Sequence, residues 1–151
     1  MKVAVQNNRG YYCLKLATLH ITSKIENLAT ARRFVEETAA SFSDDAEVIG
    51  DLVLAVDEAL TNVMVHGYRN ATGMIEIEVA REQDALVVCL RDQAPGFDPT
   101  GVPAPDINAP LSRRIPGGLG VYMMRRLTDE LHYRTTAEGK NELTLVKRVA
   151  K

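Results

Sequence analysis

Apolar side chains recur along most of the chain with the period of either a strand or a helix. Residues 11–20 alternate between two sets of side chains, which predicts a strand. Residues 25–42 carry apolar positions at helical spacing, which predicts a first helix. The stripe consists of Ile25, Leu28, Val35, Ala39 and Phe42. Ser23, with Glu26 three residues later, matches the capping-box pattern, so we expect Ser23 to cap this helix.

A second helical pattern spans residues 46–66. Its core-facing stripe consists of Ile49, Leu52, Val53, Val56, Leu60 and Val63. The polar residues 43–45 supply an N-cap before this helix, and Gly67 is placed to end it. Glu58 and Asn62 lie off the stripe, so they are free to serve a purpose other than core packing.

The rest of the chain reads as strands, one long loop and a third helix. Residues 74–80 and 85–91 predict a hairpin with its turn at 82–84, and residues 131–136 and 142–149 predict two more strands. Prolines cluster in residues 93–116, which predicts a long functional loop, and a helix follows from about 118 to 130. This order predicts an α+β two-layer sandwich: a mixed, mostly antiparallel sheet with three helices on one face, as a single domain over residues 1–151.

Composition narrows the class of protein. The net charge of −2 and the isoelectric point near 5.9 argue against a dedicated nucleic-acid binder. The chain lacks an apolar run of the roughly 20 residues that a membrane helix needs, so we expect no membrane association. Cys13 and Cys89 form no CxxC motif, and we expect buried free thiols in a cytoplasmic protein.

The residues most suited to chemistry are Glu58 and Asn62. Their spacing of four places them on one helical face, one above the other, within an apolar run. A carboxylate beside a neutral amide suits a metal-bound phosphate and a nearby hydroxyl. In isolation, such a pair is more often two ordinary polar residues on a helix edge.

Two glycine-containing segments are further candidates. Asp92 follows a predicted strand, and Gly96 lets the backbone approach a ligand closely, although Asp, Pro and Gly together also favour a simple surface turn. Residues 117–120 precede the third helix, whose free N–H groups and dipole form an anion site. The glycine segment consists of Gly117, Gly118, Leu119 and Gly120. It is not a Walker A loop, because no Lys-Ser or Lys-Thr follows.

Taken together, the order and spacing of the three segments resemble the Bergerat-type ATP-binding domain of gyrase-like ATPases, the Hsp90 chaperone and histidine kinases (GHKL). Residues 58–62 resemble the N box, residues 92–96 the Asp-x-Gly-x-Gly box, and residues 118–120 the second glycine box. The runs 58–68 and 91–99 are most similar to the anti-sigma-factor serine kinases of the RsbW/SpoIIAB type. The resemblance covers nearly the whole chain.

The resemblance implies an ATP- and Mg²⁺-dependent serine/threonine protein kinase. It makes Glu58 the general base, Asn62 the Mg²⁺ ligand, Asp92 the acceptor for the adenine amino group, and Gly96 with residues 117–120 part of the nucleotide site. It also implies a homodimer that sequesters a sigma factor and phosphorylates a STAS-domain anti-sigma-factor antagonist. We expect ATP to bind better than GTP, because guanine would oppose the Asp92 acceptor with a carbonyl oxygen.

The chain departs from the family pattern at two places, and other functions compete. Ala94 replaces the first glycine of its box, and Asn141 and Glu142 stand where the family often has a threonine, so no threonine contact is assigned. These departures keep open a non-catalytic, nucleotide-gated binding module of a partner-switching system. The catalytic part of a two-component histidine kinase is a weaker alternative, since no phospho-accepting helical hairpin is expected in this sequence.

Overall fold

The computed structural model describes residues 5–6, 12–13, 15–95, 98 and 118–149. The strands and helices are β1 (Val5–Gln6), β2 (Tyr12–Cys13), β3 (Lys15–Thr22), α1 (Leu28–Phe42), α2 (Ala46–Thr61), β4 (Met74–Glu82), β5 (Ala85–Asp92), α3 (Gly118–Leu127), β6 (Glu130–Thr135) and β7 (Asn141–Arg148). A 3₁₀ turn, Ile25–Asn27, leads into α1, and a π turn, Asn62–Gly67, continues α2.

A five-stranded sheet with the order β3-β4-β5-β7-β6 forms one layer of the fold. Each neighbouring pair in it is antiparallel. The single predicted strand at 11–20 is wrong, because its two halves pair with different neighbours. Cys13 pairs with Val5 in a separate two-stranded sheet, whereas Lys15 pairs with Arg81 of β4.

The core lies between the inner face of the sheet and the three helices. Alternate residues of β4 and β5 point into it, and α2 supplies the largest helical share. The fully buried side chains of the core include Leu52, Leu60, Met64, Ile75, Ile77, Leu86, Leu90 and Leu145. Burial of each such side chain stabilises the fold by about 1.5–3 kcal/mol. The predicted α+β two-layer sandwich is therefore confirmed.

The two predicted helix caps have opposite outcomes. Asp45 caps α2, since its side chain accepts a hydrogen bond from the Val48 N–H at 3.2 Å. The predicted Ser23 cap is wrong: its hydroxyl donates to the Ala71 carbonyl and accepts from the Gly73 N–H, each at 2.8 Å. Ser23 therefore ties β3 to the loop before β4, and Ile25, expected in the apolar stripe, is 52% exposed.

The later helices also differ in detail from their predicted ends. At the end of α2 the backbone widens into the π turn, in which the Tyr68 N–H donates to the Val63 carbonyl at 2.8 Å. Such π turns are frequent at functional sites. The third helix ends at Leu127 and not near 130, because Glu130 already belongs to β6. No helix in the described part of the chain is long and apolar enough to cross a bilayer.

The outer face of the sheet carries a row of alternating basic and acidic side chains, one from each of the five strands. The row consists, in register, of His20, Glu76, Arg91, Glu142 and Arg134. Arg91 at its centre donates to Glu76 at 2.6 Å and to Glu142 at 2.7 Å. Burial alone would raise the pKa of Glu142, but the hydrogen bonds from Arg134 and Arg91 outweigh it and lower that pKa.

Cys89 lies on the same outer face, beside that row. It is a free, buried thiol whose sulfur is 3.5 Å from the Thr144 hydroxyl oxygen. Burial raises the pKa of this thiol to about 11, so it stays protonated and unreactive near neutral pH. The expectation of a buried free thiol is confirmed for Cys89, while the side chain of Cys13 lies outside the described part.

Candidate functional site

One pocket opens at the end of the sheet where β5 stops, β7 starts and the helices α2 and α3 meet. It encloses about 430 Å³ of empty space, a volume that includes open solvent at its mouth. Its lining residues are Ala59, Asn62, Val63, Gly67, Asp92, Ala94, Pro95, Met124, Tyr133, Asn141 and Leu143. We call it the sheet-end pocket. It brings together Asn62 and Asp92, which are distant in sequence and were both predicted as site residues.

Glu58 and Asn62 meet the start of α3 at one edge of this pocket. A Cβ atom added to Gly120 would lie 3.0 Å from the Glu58 Oε2 atom and 3.5 Å from the Asn62 Oδ1 atom. Both side chains therefore face Gly120 in the first turn of α3, where the absence of a Cβ atom leaves room for them. The predicted juxtaposition of the N box with the second glycine box is present in the structure.

The Asn62 amide is buried without a partner of its own. Only 9% of the residue is exposed, and its Nδ2 atom makes no hydrogen bond within the described part of the chain. An orphaned buried amide is costly unless a ligand satisfies it. This donor and acceptor pair fits phosphate oxygens and a hard cation such as Mg²⁺, which takes oxygen ligands and needs few from the protein.

Asp92 is a buried carboxylate held by one of its two oxygens. Only 7% of the residue is exposed, and Oδ1 accepts hydrogen bonds from the Ala94 N–H and from Asn141 Nδ2, each at 2.9 Å. Burial raises the pKa of Asp92, and these two hydrogen bonds partly oppose that rise. No described residue donates to Oδ2, which leaves that atom as an acceptor for a ligand donor.

Tyr68 holds the backbone just beyond Asp92. Its hydroxyl donates to the Met74 carbonyl at 2.7 Å and accepts from the Gln93 N–H at 2.9 Å. The ring packs against Gly73 so closely that a Cβ there would lie 2.1 Å from Tyr68 Cε1. Burial, and then the charge of Asp92, raise the pKa of Tyr68, although the Gln93 hydrogen bond lowers it. Tyr68 therefore positions the Asp92 segment while remaining protonated at neutral pH.

Ala94, the departure from the family glycine box, is matched by Gly67 across the pocket. Ala94 is buried, and a Cβ on Gly67 would approach the Ala94 Cβ to 3.1 Å. Gly67 belongs to the π turn, so the widened helix end brings a residue without a side chain opposite the extra methyl group. The methyl group of Ala94 is thus accommodated by the absence of one at 67.

Asn141 and Tyr133 belong to the site and were not predicted as site residues. Asn141 lies directly opposite Asp92 in the β5–β7 pairing, and its amide contacts Asp92, Ala94 and Tyr133. The sequence carried one signal for it, namely that Asn141 stands near the expected threonine position. That signal gains meaning only when β7 is known to pair with β5.

Several predicted site residues have little or no structural description. Gly96 and Gly117, and the loop arginines Arg113 and Arg114, lie outside the described residues. Gly118 and Leu119 form the first turn of α3 through their backbone. Their roles in binding remain predictions, as does the base role of Glu58. Within the described residues no three His, Cys, Asp or Glu side chains form a metal cluster.

Comparisons with known proteins agree with this architecture. A profile of the histidine kinase-like ATPase domain matches residues 21–147. The chain is 30% identical to an anti-sigma F factor of Thermoanaerobacter sp. (strain X514) over 125 residues, covering 83% of this chain and 87% of that protein. It is 28% identical to a serine-protein kinase RsbW of Bacillus cereus (strain G9842) over 117 residues, covering 75% and 73%.

A solved structure shares the fold. The crystal structure of the RsbU and RsbW domains of a Mycobacterium tuberculosis protein matches with a TM-score of 0.61 and 24% identity. The match covers 89% of this chain and 33% of that chain. The family profile spans most of the chain. The names of the sequence relatives agree with the family that the runs 58–68 and 91–99 resemble. The chain therefore belongs to the histidine kinase-like ATPase family, and within it to the anti-sigma-factor serine kinases of the RsbW/SpoIIAB type.

Proposed function

We propose that the chain is an ATP-dependent serine/threonine protein kinase that acts as an anti-sigma factor. The observation that carries this proposal is the meeting of Glu58, Asn62 and Gly120 at one edge of a pocket whose floor holds Asp92. The arrangement offers a base, an amide for a metal-bound phosphate, a glycine-lined helix start and a buried acceptor for a purine.

Asp92 and the apolar pocket wall would bind the adenine base. Oδ2 of Asp92 accepts a hydrogen bond from the exocyclic amino group, while Val63, Met124 and Leu143 provide apolar contact. The carbonyl oxygen of guanine in the same place would face an acceptor, and both groups would stay unpaired. ATP is therefore expected to bind better than GTP.

The triphosphate would lie between the π turn and the start of α3. The free backbone N–H groups at the start of α3 would bind the phosphates, and Asn62 would hold Mg²⁺ through its amide oxygen. When bound, Mg²⁺ would supply neutralisation of the phosphate charge. The proposed site also includes Gly96 and Gly117, since a residue without a side chain lets a nucleotide approach the backbone.

Glu58 would act on the protein substrate as the general base. The attacking serine or threonine oxygen forms a bond to the γ-phosphorus, the bond from that phosphorus to the β–γ bridging oxygen breaks, and ADP leaves. The hydroxyl proton passes to the Glu58 carboxylate. The Glu58 carboxylate faces Gly120, so it lies beside the place where the phosphates would reach α3. Phosphoryl transfer needs mainly positioning and charge stabilisation, so this small set of groups is sufficient.

We further propose the partners that the family implies. The protein would bind a sigma factor in one nucleotide state and phosphorylate a STAS-domain antagonist in another. A nucleotide shifts this choice only through unequal affinity for the two states. The proposal includes a homodimer in the cytoplasm, with residues 1–151 forming one domain.

The direct test combines the purified chain, Mg-ATP and the STAS-domain protein encoded beside it in the genome. We expect the STAS-domain protein to gain the mass of one phosphate group. Glu58→Gln should keep ATP binding and lose transfer. Asp57→Asn is the matched control, because this neighbouring carboxylate pairs with Arg32 at 2.8 Å, whereas the Glu58 carboxylate faces Gly120. Nucleotide binding without any transfer would favour the non-catalytic module.

A further inference from the structure

Asn141 is the polar side chain in the sheet-end pocket that the proposed mechanism does not use. Its Nδ2 atom donates to Asp92 Oδ1 at 2.9 Å and to the Ala94 carbonyl at 2.8 Å. Its Oδ1 atom accepts from the Tyr133 hydroxyl at 2.8 Å. Both N–H groups of the amide are thus already engaged, so Asn141 has no donor left for a ligand.

The orientation of this amide is determined by Asp92 and Ala94. Both present acceptor oxygens to the same atom, Asn141 Nδ2. The reverse orientation would bring the amide oxygen against a carboxylate and a carbonyl oxygen, and neither of these can donate. Tyr133 then donates to the remaining amide oxygen and holds the oriented amide in place.

The consequence falls on Asp92. With Oδ1 held by Asn141 and by the Ala94 N–H, the carboxylate cannot rotate without breaking two hydrogen bonds. Oδ2 is left as the acceptor that faces a ligand. The second bond of Asn141, to the Ala94 carbonyl, holds the backbone beside that acceptor in the same position.

We propose that Asn141 is a positioning residue for purine selection: with its amide oxygen held by Tyr133, it fixes Asp92 so that Oδ2 alone accepts from the exocyclic amino group. This inference rests on the proposed nucleotide site and adds to it the residues that set its selectivity. Asn141 acts through Asp92 and not by its own contact with the base.

The test compares ATP with the triphosphate of purine riboside, which differs only by lacking the amino group. The measured quantity is the dissociation constant of purine riboside triphosphate divided by that of ATP, both at saturating Mg²⁺. Asn141→Ala should weaken the binding of ATP by about 10- to 100-fold and leave the binding of purine riboside triphosphate nearly unchanged. Only ATP has the amino group that donates to the charged Asp92 acceptor, so only ATP loses that hydrogen bond when Asp92 is displaced. A general loosening of the pocket would weaken both nucleotides equally, and that result overturns the proposal.

Three variants separate the proposal from its alternatives. In an Asp92→Asn background, Asn141→Ala should not change the ratio further; an undiminished effect means that Asn141 contacts the base itself. Thr144→Ala is the matched control, since Thr144 is a buried polar residue of β7 whose hydroxyl contacts Cys89 on the opposite face of the sheet. Tyr133→Phe removes only one hydroxyl group and should lower the ratio severalfold.

The outcomes also distinguish this inference from the proposed function. If the wild type binds no adenine nucleotide, or does not prefer ATP, the proposed site fails. If the wild type prefers ATP, Asp92→Asn removes the preference and Asn141→Ala retains it, only the role of Asn141 fails. Should Asn141→Ala not fold, Asn141→Val takes its place, because valine suits a strand and has no side-chain donor; a folded Asn141→Val variant with an unchanged ratio overturns the proposal.

Discussion

Replacement of Asp92 by asparagine separates the structural role of this residue from its ligand role. In the structure, Asp92 Oδ1 accepts from the Ala94 N–H and from Asn141 Nδ2, each at 2.9 Å. The asparagine side chain keeps one oxygen, which can still accept both hydrogen bonds. The atom at the Oδ2 position becomes an NH₂ group. The fold therefore keeps its hydrogen bonds, while the pocket loses its acceptor and gains a donor.

The two effects have different expected sizes. Each hydrogen bond to the carboxylate contributes about 1.5–3 kcal/mol, and each hydrogen bond to the neutral amide would contribute about 0.5–1.5 kcal/mol. The variant also avoids the cost of burying a charge. Because these two effects oppose each other, the free energy of unfolding should change by no more than about 1 kcal/mol. The adenine amino group would meet a donor, at a loss of about 3 kcal/mol, or roughly 100-fold in affinity. GTP should gain affinity, because its carbonyl oxygen can accept from the new NH₂ group.

Titration calorimetry with ATP and GTP, together with thermal unfolding without nucleotide, measures both effects. Wild-type ATP affinity in a folded Asp92→Asn variant would refute the adenine contact. Unfolding of the variant would instead show that the fold needs the negative charge, whereas the raised pKa of Asp92 indicates that the fold disfavours the charged form.

The pH dependence supplies an independent check. Burial raises the pKa of Asp92, so the fold gains most from this residue at low pH and loses that contribution as pH rises through the raised pKa. Nucleotide binding has the opposite sign, because it needs the ionised acceptor. ATP affinity should fall on acidification before an ordinary aspartate would protonate. Tyr68, the titratable neighbour, stays neutral throughout this range. The Asp92→Asn variant should lack this acid-side loss.

Three further variants test other parts of the structure. In Gly120→Ala the new Cβ atom would lie 3.0 Å from Glu58 Oε2 and displace that carboxylate, so the rate of phosphoryl transfer should fall about tenfold. The melting temperature should hold or rise, since alanine favours the helix. Gly67→Ala would face Ala94 at 3.1 Å and should lower unfolding free energy by about 1–3 kcal/mol in denaturant titrations, with partial rescue by Ala94→Gly. Glu142→Gln should cost about 1–2 kcal/mol at neutral pH; because the pKa of Glu142 is lowered, this difference should vanish as pH falls through that pKa.

Local patterns in the sequence were sufficient to predict the helices and the central hairpin. The stripe of α2 and its N-cap depend on residues within a few positions of one another. The stripe was predicted, and the cap was predicted within residues 43–45, of which Asp45 forms it. The Glu58–Asn62 juxtaposition follows from helix geometry alone in the same way. Its meeting with α3 was available only through the family resemblance.

Long-range pairing explains what the sequence did not reveal. Ser23 satisfies the local capping pattern, but its hydroxyl bonds to the loop at residues 71–73, which no local rule anticipates. Asn141 contacts Asp92 because β7 pairs with β5, so the last residue of one strand meets the first residue of the other. The π turn that brings Gly67 to Ala94 likewise depends on backbone hydrogen bonds that hydrophobic periodicity does not encode.

A crystal structure with Mg²⁺ and a non-hydrolysable ATP analogue tests the central claim most directly. We expect the adenine amino group within hydrogen-bond distance of Asp92 Oδ2, the metal on Asn62, and the phosphates against the first turn of α3. A nucleotide bound elsewhere, or one whose base leaves Asp92 without a contact, would contradict the account.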